Sequence, residues 1–407
     1  MRRRAFLTGT AAAGMMLPFG RAAWAARLGG PGPRLVVVFL RGAVDGLNVV
    51  VPYTDAAYYD DRPTIAVARP RDDGGVRDLD GRFGLHPALD ALMPLWRKRQ
   101  LAFVHACGSP DPDRSHFEAQ AYMETATPGV PGTTTGWMNR LAAAMHFDRP
   151  SDMVAFGATT PLIVRGPTAV ATFPTGRAAA RPQPIDRDPV RQAFDPLYET
   201  DPRLAAVWRE ARQARAKLLS DMESDMSASA EGAPDPQGFP TDAAHAARMM
   251  VADPGVRLVF FQLGGWDTHV NQGAAKGQLA GHLKPLGDGL AALCTGLGPV
   301  WDETAVLVIS EFGRTAHENG NRGTDHGHGN AHWLLGGRIG GARVYADWRG
   351  LSQDALHQQR DLPVTTDFRS VIALVMQRHL NLPAAAFARV LPGFAPDFRN
   401  IAPMLAA

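Results

Sequence analysis

Four stretches of this sequence are apolar almost from end to end: "RLVVVFLRG" at 34–42, "QLAFVHACG" at 100–108, "VRLVFFQLGG" at 256–265 and "TAVLVIS" at 304–310. A strand with one wet face alternates apolar and polar residues. An unbroken run therefore fits a strand buried on both faces, as in a parallel sheet. "AHWLLGG" at 331–337 is a shorter run of the same kind. Helical patterns separate the runs: "HPALDALMPLWRKR" at 86–99, "HFEAQAYMET" at 116–125, "KGQLAGHLKPLGDGLAALCTGL" at 276–297 and "DFRSVIALVMQRHL" at 367–380. Alternating strands and helices predict an α/β fold with a mainly parallel central sheet flanked by helices. Residues 172–202 are rich in Pro and Arg, 201–226 carry a long amphipathic helix pattern, and 227–240 have the composition of a loop. Residues 26–407 are thus expected to form a single α/β domain, with a mostly helical insertion at about 172–254.

Each strong run stops at a polar cluster. Asp45 and Asn48 follow the first; Asp113, Arg114, Ser115 and His116 follow the second and open a helix. Asp267 and His269 follow the third, and Glu311 and Arg314 the fourth; Asp325, His326 and His328 come after a loop rich in Gly and Asn. In open α/β sheets ligands bind beyond the carboxyl ends of the strands. A parallel sheet would bring all these clusters to one edge. The chemistry gathered there is oxygen and imidazole, so Asp45, Asp267, His269, Glu311, Asp325, His326 and His328 are candidate metal ligands. Carboxylates crowded together repel unless a cation or protonation relieves them. One or two divalent ions are expected, zinc first, with manganese, iron, calcium or magnesium as alternatives.

Ser115 stands where a nucleophile would, at a helix start that favours anions, and also where an ordinary N-cap would. Arg114 and Arg314 could clamp an anion by bidentate contacts or serve as salt-bridge partners. Asp45-Gly46 also reads as a turn, and Asp267-Thr268-His269 as a helix cap. His86, His105 and His282 read as core or surface histidines. In "GTDHGHGN" at 323–330 the glycines suggest backbone freedom. Alternation in an extended segment would point His326 and His328 one way and Asp325 the other.

The first 25 residues have a basic start, a short apolar stretch and the ending Ala23-Trp24-Ala25, which reads as a signal peptide. Arg3-Arg4-Ala5-Phe6-Leu7 fits the twin-arginine pattern, which carries folded proteins. A periplasmic or extracellular location is expected, with the twin-arginine machinery as a transient partner. Removing these residues takes away four arginines and leaves 38 basic against 40 acidic side chains, so the net charge turns from +2 to −2. With no polybasic stripe, nucleic-acid binding has no support, and no later segment is long and apolar enough to span a membrane. The two cysteines, Cys107 and Cys294, allow one disulfide or two buried thiols. No haem-attachment motif, cysteine cluster or dinucleotide fingerprint favours a redox protein.

"LVVVFLRGAVDGLNVVVPY", "DRSHFEAQAYMET", "GGWDTHVNQG" and "SEFGRT…ENGNRGTDHGHGN…LLGG" resemble the bacterial exported family known as domain of unknown function 1501, over about 34–400. That family is similar to the alkaline phosphatase/sulfatase superfamily. The resemblance implies an alkaline phosphatase-like fold, metals at the carboxyl strand ends and a nucleophile at a helix start. Carried over, Asp45 matches the first-strand metal aspartate and Ser115 the nucleophile. Asp267 and His269 match an Asp/His metal pair at narrower spacing than usual. His326 or His328 matches the late metal histidine. Glu311 stands where an aspartate is expected, and Phe312 where a metal histidine is expected. Phe312 removes a ligand that Asp325 could replace. No Cys-x-Pro-x-Arg pattern surrounds Cys107, which argues against a formylglycine sulfatase. The expectation is a metal-dependent hydrolase of a small anionic phosphate or sulfate ester. The alternative is a non-catalytic exported metal-binding or assembly protein that retains the fold.

Overall fold

The computed structural model of the protein describes residues 32–157, 160–173 and 238–405. The signal at 1–25, the amphipathic helix expected over 201–226 and most of the expected insertion lie outside the described residues.

Nine strands form one sheet: β1 (Arg34–Leu40), β2 (Leu101–Gly108), β3 (Met153–Phe156), β4 (Ala171–Phe173), β5 (Leu258–Leu263), β6 (Thr304–Ser310), β7 (Asn330–Gly336), β8 (Arg343–Tyr345) and β9 (Thr366–Asp367). Their order is β8-β2-β7-β6-β1-β5-β3-β4, with β9 also paired to β2. All run the same way except β7, which is antiparallel to both neighbours. β7 reverses because no crossover helix precedes it: the chain leaves β6 and re-enters the sheet from the same edge. The fold is therefore a mainly parallel sheet flanked by helices, as the apolar runs predict.

β1 lies at the centre and shows why its sequence is apolar throughout. Val36, Val38 and Leu40 enter the core on one face, and Leu35, Val37 and Phe39 the core on the other. The period of two sends successive side chains to opposite faces, and here both faces are covered. One cover is made by α3 (Phe239–Ala252) and α4 (Gln278–Leu297), named with α1 (His116–Thr125), α2 (Trp137–Ala144) and α5 (Phe368–Leu374) in chain order. Along α4, Leu279, Leu283, Leu286, Leu290, Leu293 and Leu297 recur every three or four residues and are all buried. Each contributes roughly 1.5–3 kcal/mol by leaving water. The other cover includes Trp137, Met138 and Leu141 of α2 and Phe368, Val371 and Ile372 of α5.

Three local departures from the expected elements are present. The helix predicted over 86–99 is a 3-10 turn at Pro87–Leu92 and then an α-turn at Met93–Arg97. Pro94 has no N–H to donate back along the helix. The helix predicted over 367–380 passes into a π-turn at Val375–His379. Residues 239–252, at the end of the expected insertion, form α3, whose Phe239, Ala243, Ala246, Ala247 and Met250 belong to the core under the sheet. Cys107 and Cys294 are free thiols. No described helix is long and apolar enough to cross a membrane.

Three core histidines are held neutral. His86 Nε2 lies 3.0 Å from the Ala274 carbonyl oxygen, His105 Nε2 2.9 Å from that of Val50, and His332 Nε2 3.3 Å from that of Ser310. Burial pushes each pKa from 6.5 down to about 4. The unfolded chain takes up these protons near pH 6.5, the folded chain only near 4. Between those values the unfolded state binds more protons, so stability falls as pH falls through the window. The melting temperature of chelator-treated protein should drop between pH 6.5 and 4, and His105→Gln should make the drop shallower. A melting temperature flat across this window would contradict buried neutral imidazoles.

Candidate metal centre

Because β1, β5 and β6 are parallel and β7 begins where they end, four chain segments meet at one sheet edge. Arg314 joins them. Its guanidinium donates to Gly42 O (2.5 Å) and Ala43 O (2.6 Å) after β1, to Trp266 O (3.1 Å) after β5 and to Thr324 O (3.1 Å) before β7. It also donates to Asp267 Oδ1 at 2.6 Å. Burial works to raise the Asp267 pKa, but the hydrogen bond and charge of Arg314 outweigh it and hold the carboxyl below its ordinary value. Asp267 is therefore a carboxylate at neutral pH, anchored through one oxygen and still partly open to solvent.

Three imidazoles surround it, and each is oriented from behind. His116 Nδ1 lies 2.8 Å from Glu311 Oε1. A carboxylate only accepts, so Nδ1 carries the proton and Nε2 keeps a lone pair. His326 Nδ1 lies 2.9 Å from the Arg114 carbonyl oxygen, which gives it the same tautomer, while His269 stands between two carboxylates, with Nδ1 3.2 Å from Asp325 Oδ1 and Nε2 3.0 Å from Asp267 Oδ1. The three Nε2 atoms face Asp267: His116 at 3.6 Å from Oδ2, His269 at 3.0 Å and His326 at 3.5 Å from Oδ1. This is the arrangement in which an oxygen behind a histidine fixes it for a metal in front. His116 Nε2 is buried and has no hydrogen-bond partner. His269 Nε2 and His326 Nε2 are 2.9 Å apart, a hydrogen-bonding distance. His116, Asp267 and His326 each offer a ligand atom within 4.8 Å of the others, and this is the group able to hold a metal ion among the described residues. Two nitrogens and one oxygen, with an orphaned lone pair, fit a divalent ion of the zinc type.

The hydrogen bond to Glu311 raises the His116 pKa, with burial opposing. Burial lowers that of His326. Burial pushes Glu311 up, but His116, Gln120 and backbone N–H groups outweigh it and keep it ionised below its ordinary value.

Of the residues singled out from the sequence, the structure brings Asp267, His269, His326, Glu311 and Asp325 together in two tiers. Asp267 and His326 face the centre with His269 beside them; Glu311 and Asp325 stand behind His116 and His269. Glu311 is fully engaged, Oε1 by His116, Gln120 and the Gly42 amide, Oε2 by Ser310. Asp45 is not part of the group. It is buried in an ion pair with Arg62 (2.6 and 3.1 Å), and Gln272 donates to Oδ2 at 2.7 Å. His328 turns away and stacks on His357 with ring centroids 4.8 Å apart. Arg114 is paired with Asp361 at 2.5 Å and lends the centre its carbonyl rather than its guanidinium. Arg314 is buried and occupied by the loops. Ser115 is exposed at the start of α1 and makes no side-chain cap hydrogen bond. Phe312, where a histidine would be expected, packs against His116 and His326 with centroids 4.9 and 5.0 Å away.

His116 was the residue hidden in the sequence. It follows Ser115 at a helix start and draws less notice than the hydroxyl, although it lies in the same polar cluster. The alternation expected for 325–328 does not hold, because this segment is no strand. A single bridge pairs His326 with Arg314, and both Asp325 and His326 reach His269. Nor do the glycines supply freedom. A Cβ on Gly323 would lie 2.3 Å from the His269 backbone, and one on Gly327 2.4 Å from that of Arg314. They let backbone approach backbone.

The family described as "Protein of unknown function (DUF1501)" matches residues 33–391. No curated protein matches the chain. Among solved structures, the C-terminal periplasmic domain of EcEptC from Escherichia coli in complex with Zn is 11% identical, with 76% of this chain and 74% of that chain covered and a TM-score of 0.35. The lipoteichoic acid synthase LtaP from Listeria monocytogenes is 10% identical, with 87% and 73% covered and a TM-score of 0.36. Ps i-CgsB is 10% identical, with 88% and 76% covered and a TM-score of 0.36.

Asp45 and His326 should behave differently on removal. Asp45→Ala leaves Arg62 charged and buried, which costs about 3–5 kcal/mol, while the folded fraction keeps its metal uptake. His326→Ala removes a partly buried imidazole that makes no charged pair as strong as that of Asp45, so metal uptake should be lost with a smaller change in unfolding. Thermal melts paired with metal analysis of the folded fraction read both effects. Normal stability with no metal in Asp45→Ala would reverse the assignment.

Proposed function

This chain belongs to the DUF1501 family, and we propose that it is an exported, metal-dependent hydrolase of a phosphate or sulfate ester. The observation that carries this reading is the convergence of two Nε2 lone pairs, those of His116 and His326, each held from behind by an oxygen, on a partly exposed carboxylate. His116, Asp267 and His326 would hold one divalent ion, zinc by the character of the donors, and leave a coordination position open. Bound there, the ion supplies Lewis acidity toward an ester oxygen.

The remaining roles belong to the chain itself. Glu311 and the Arg114 carbonyl keep His116 and His326 in the tautomer that presents the Nε2 lone pair, and Asp325 holds His269 beside them. Arg314 keeps Asp267 ionised and in place. Phe312 closes the floor beneath His116 and His326, so water reaches the centre from the open side of Asp267. Ser115, exposed and uncapped one residue before His116, would attack the phosphorus or sulfur at the start of α1, where free N–H groups favour an anion; its proton passes to solvent as the ester's alcohol leaves, and water then cleaves the serine ester to release phosphate or sulfate and restore the hydroxyl. The resemblance of the strand-end motifs to the alkaline phosphatase/sulfatase superfamily supports the reaction class. The Arg3-Arg4-Ala5-Phe6-Leu7 signal supports export in the folded state.

The mature chain should take up about one equivalent of zinc, manganese or iron, and His116→Ala should take up none. Across a panel of phosphate and sulfate esters, metal-dependent turnover should fall on the order of 10³-fold or more in Ser115→Ala. Absence of stoichiometric metal under every loading condition would sink the reading. Uptake without turnover on either ester class would favour a non-catalytic metal-binding protein, a reading to which the loss of a ligand at Phe312 lends support.

A further inference from the structure

His326 is tethered twice. Its ring Nδ1 donates to the Arg114 carbonyl oxygen at 2.9 Å, and its own backbone carbonyl accepts from the Arg360 guanidinium. The first contact fixes the rotation of the ring about χ2, which is otherwise broad for histidine. The second fixes the backbone that carries the ring. Arg114 and Arg360 are far apart in sequence, yet both reach one carboxylate. Arg114 Nη2 donates to Asp361 Oδ2 at 2.5 Å, and Arg360 Nε stands 3.4 Å from Asp361 Oδ1, an ion pair longer than a hydrogen bond. The Asp361 side chain is closed to solvent, so these attractions are screened less than those of a surface pair. Burial raises the Asp361 pKa, and the charges of Arg360 and Arg114 oppose the rise.

The backbone under this carboxylate is held independently of it. The Asp361 N–H donates to the His357 carbonyl at 3.0 Å, and the Asp361 carbonyl accepts from the His357 N–H at 2.8 Å. The Ala316 amide donates to the Arg360 carbonyl at 3.0 Å, which ties the same turn to the segment after Arg314. Arg114 has one other side-chain partner, the exposed Gln358, at 2.9 Å. It also stands two residues before His116, so whatever anchors it steadies the start of α1.

We propose that Asp361 is a positioning residue of the candidate metal centre: through Arg114 and Arg360 it holds His326 in the tautomer and the place that present Nε2 to Asp267. It touches neither ion nor ester. An oxygen directly behind a metal-binding histidine orients it; here a carboxylate one step further back acts on two such contacts at once. The inference rests on the metal-centre reading of these residues.

The state of the ring can be read without metal or ester. Long-range proton–nitrogen NMR spectra of chelator-treated, isotope-labelled mature protein distinguish a protonated from an unprotonated ring nitrogen. The signals missing from His326→Ala identify the ring. At neutral pH the wild type should show His326 with Nδ1 protonated and Nε2 unprotonated. Asp361→Ala should show a mixture of tautomers, and its zinc affinity, measured by competition with a chelating dye, should fall about 10- to 100-fold. Arg360→Gln changes a side chain that is 40% exposed and keeps the pair between Asp361 and Arg114. It removes the donor to the His326 carbonyl and should shift both readings the same way, with affinity falling about three- to tenfold, the effect of one hydrogen bond. It carries the test if Asp361→Ala does not fold. Asp152→Asn unpairs Arg149 just before β3, at the opposite edge of the sheet, and should change neither reading. Folded Asp361→Ala with a single His326 tautomer and wild-type zinc affinity overturns the proposal, as do both readings unchanged in Arg360→Gln. A tautomer mixture in Asp361→Ala, in a chain whose wild type takes up no metal, supports Asp361 as the residue that positions His326 and overturns the metal centre instead.

Discussion

The sheet edge is organised around one buried guanidinium. Arg314 has five N–H donors in a plane, and it meets four backbone carbonyls and one carboxylate oxygen. The carbonyls come from segments after β1, after β5 and before β7, while Arg314 itself follows β6. A buried charge is tolerated only when it is paired and hydrogen-bonded, so these segments must stand where they do for the arginine to be buried at all. A lysine would keep the charge but not the planar fan of donors. The same contacts place Asp267 at the centre and keep it ionised, so the scaffold and the site depend on one side chain.

The imidazoles are set by a second tier. A histidine can present either nitrogen, and its rotation about χ2 is broad. Glu311 and the Arg114 carbonyl each take an Nδ1–H, from His116 and His326, and so present Nε2 to Asp267. Glu311 does this at the end of β6, a buried strand, and is itself fixed by the Gly42 amide and Gln120. The chain thus spends a buried carboxylate on orientation. That is a reason for a glutamate to stand here without touching the centre.

Much of this was legible in the sequence. The unbroken apolar runs gave β1, β2, β5 and β6, because burial on both faces leaves no room for a polar period. The parallel sheet then implied a common edge for Asp267, His269, Glu311, Asp325 and His326. Partners distant in sequence were not legible. Asp45 looks like a ligand until Arg62, 17 residues on, and Gln272, 227 residues on, are seen to fill its oxygens. His326 and His328 are alike in sequence, and only the close packing at Gly327, which bends the segment away from strand geometry, separates the one at the centre from the one stacked on His357. His116 was masked by the serine beside it. The short strands β3 and β4 and the helix α2 carried too little periodicity to stand out.

What separates a ligand from a strut at this edge is the number of donors each carboxylate receives. Asp45 has donors on both oxygens and is fully buried. Glu311 has three donors on Oε1 and one on Oε2, and its side chain is also closed to solvent. Each has donors on both oxygens and no exposed face, so neither presents an open oxygen to a cation. Asp267 has Arg314 on Oδ1, while Oδ2 meets only the Nε2 of His116 among the described residues, and the side chain is 44% exposed. The second oxygen is open to solvent, and the His116 Nε2 that faces it has no hydrogen-bond partner among the described residues. The pair becomes favourable when a positive charge lies between them, and that is the electrostatic condition a bound cation would meet.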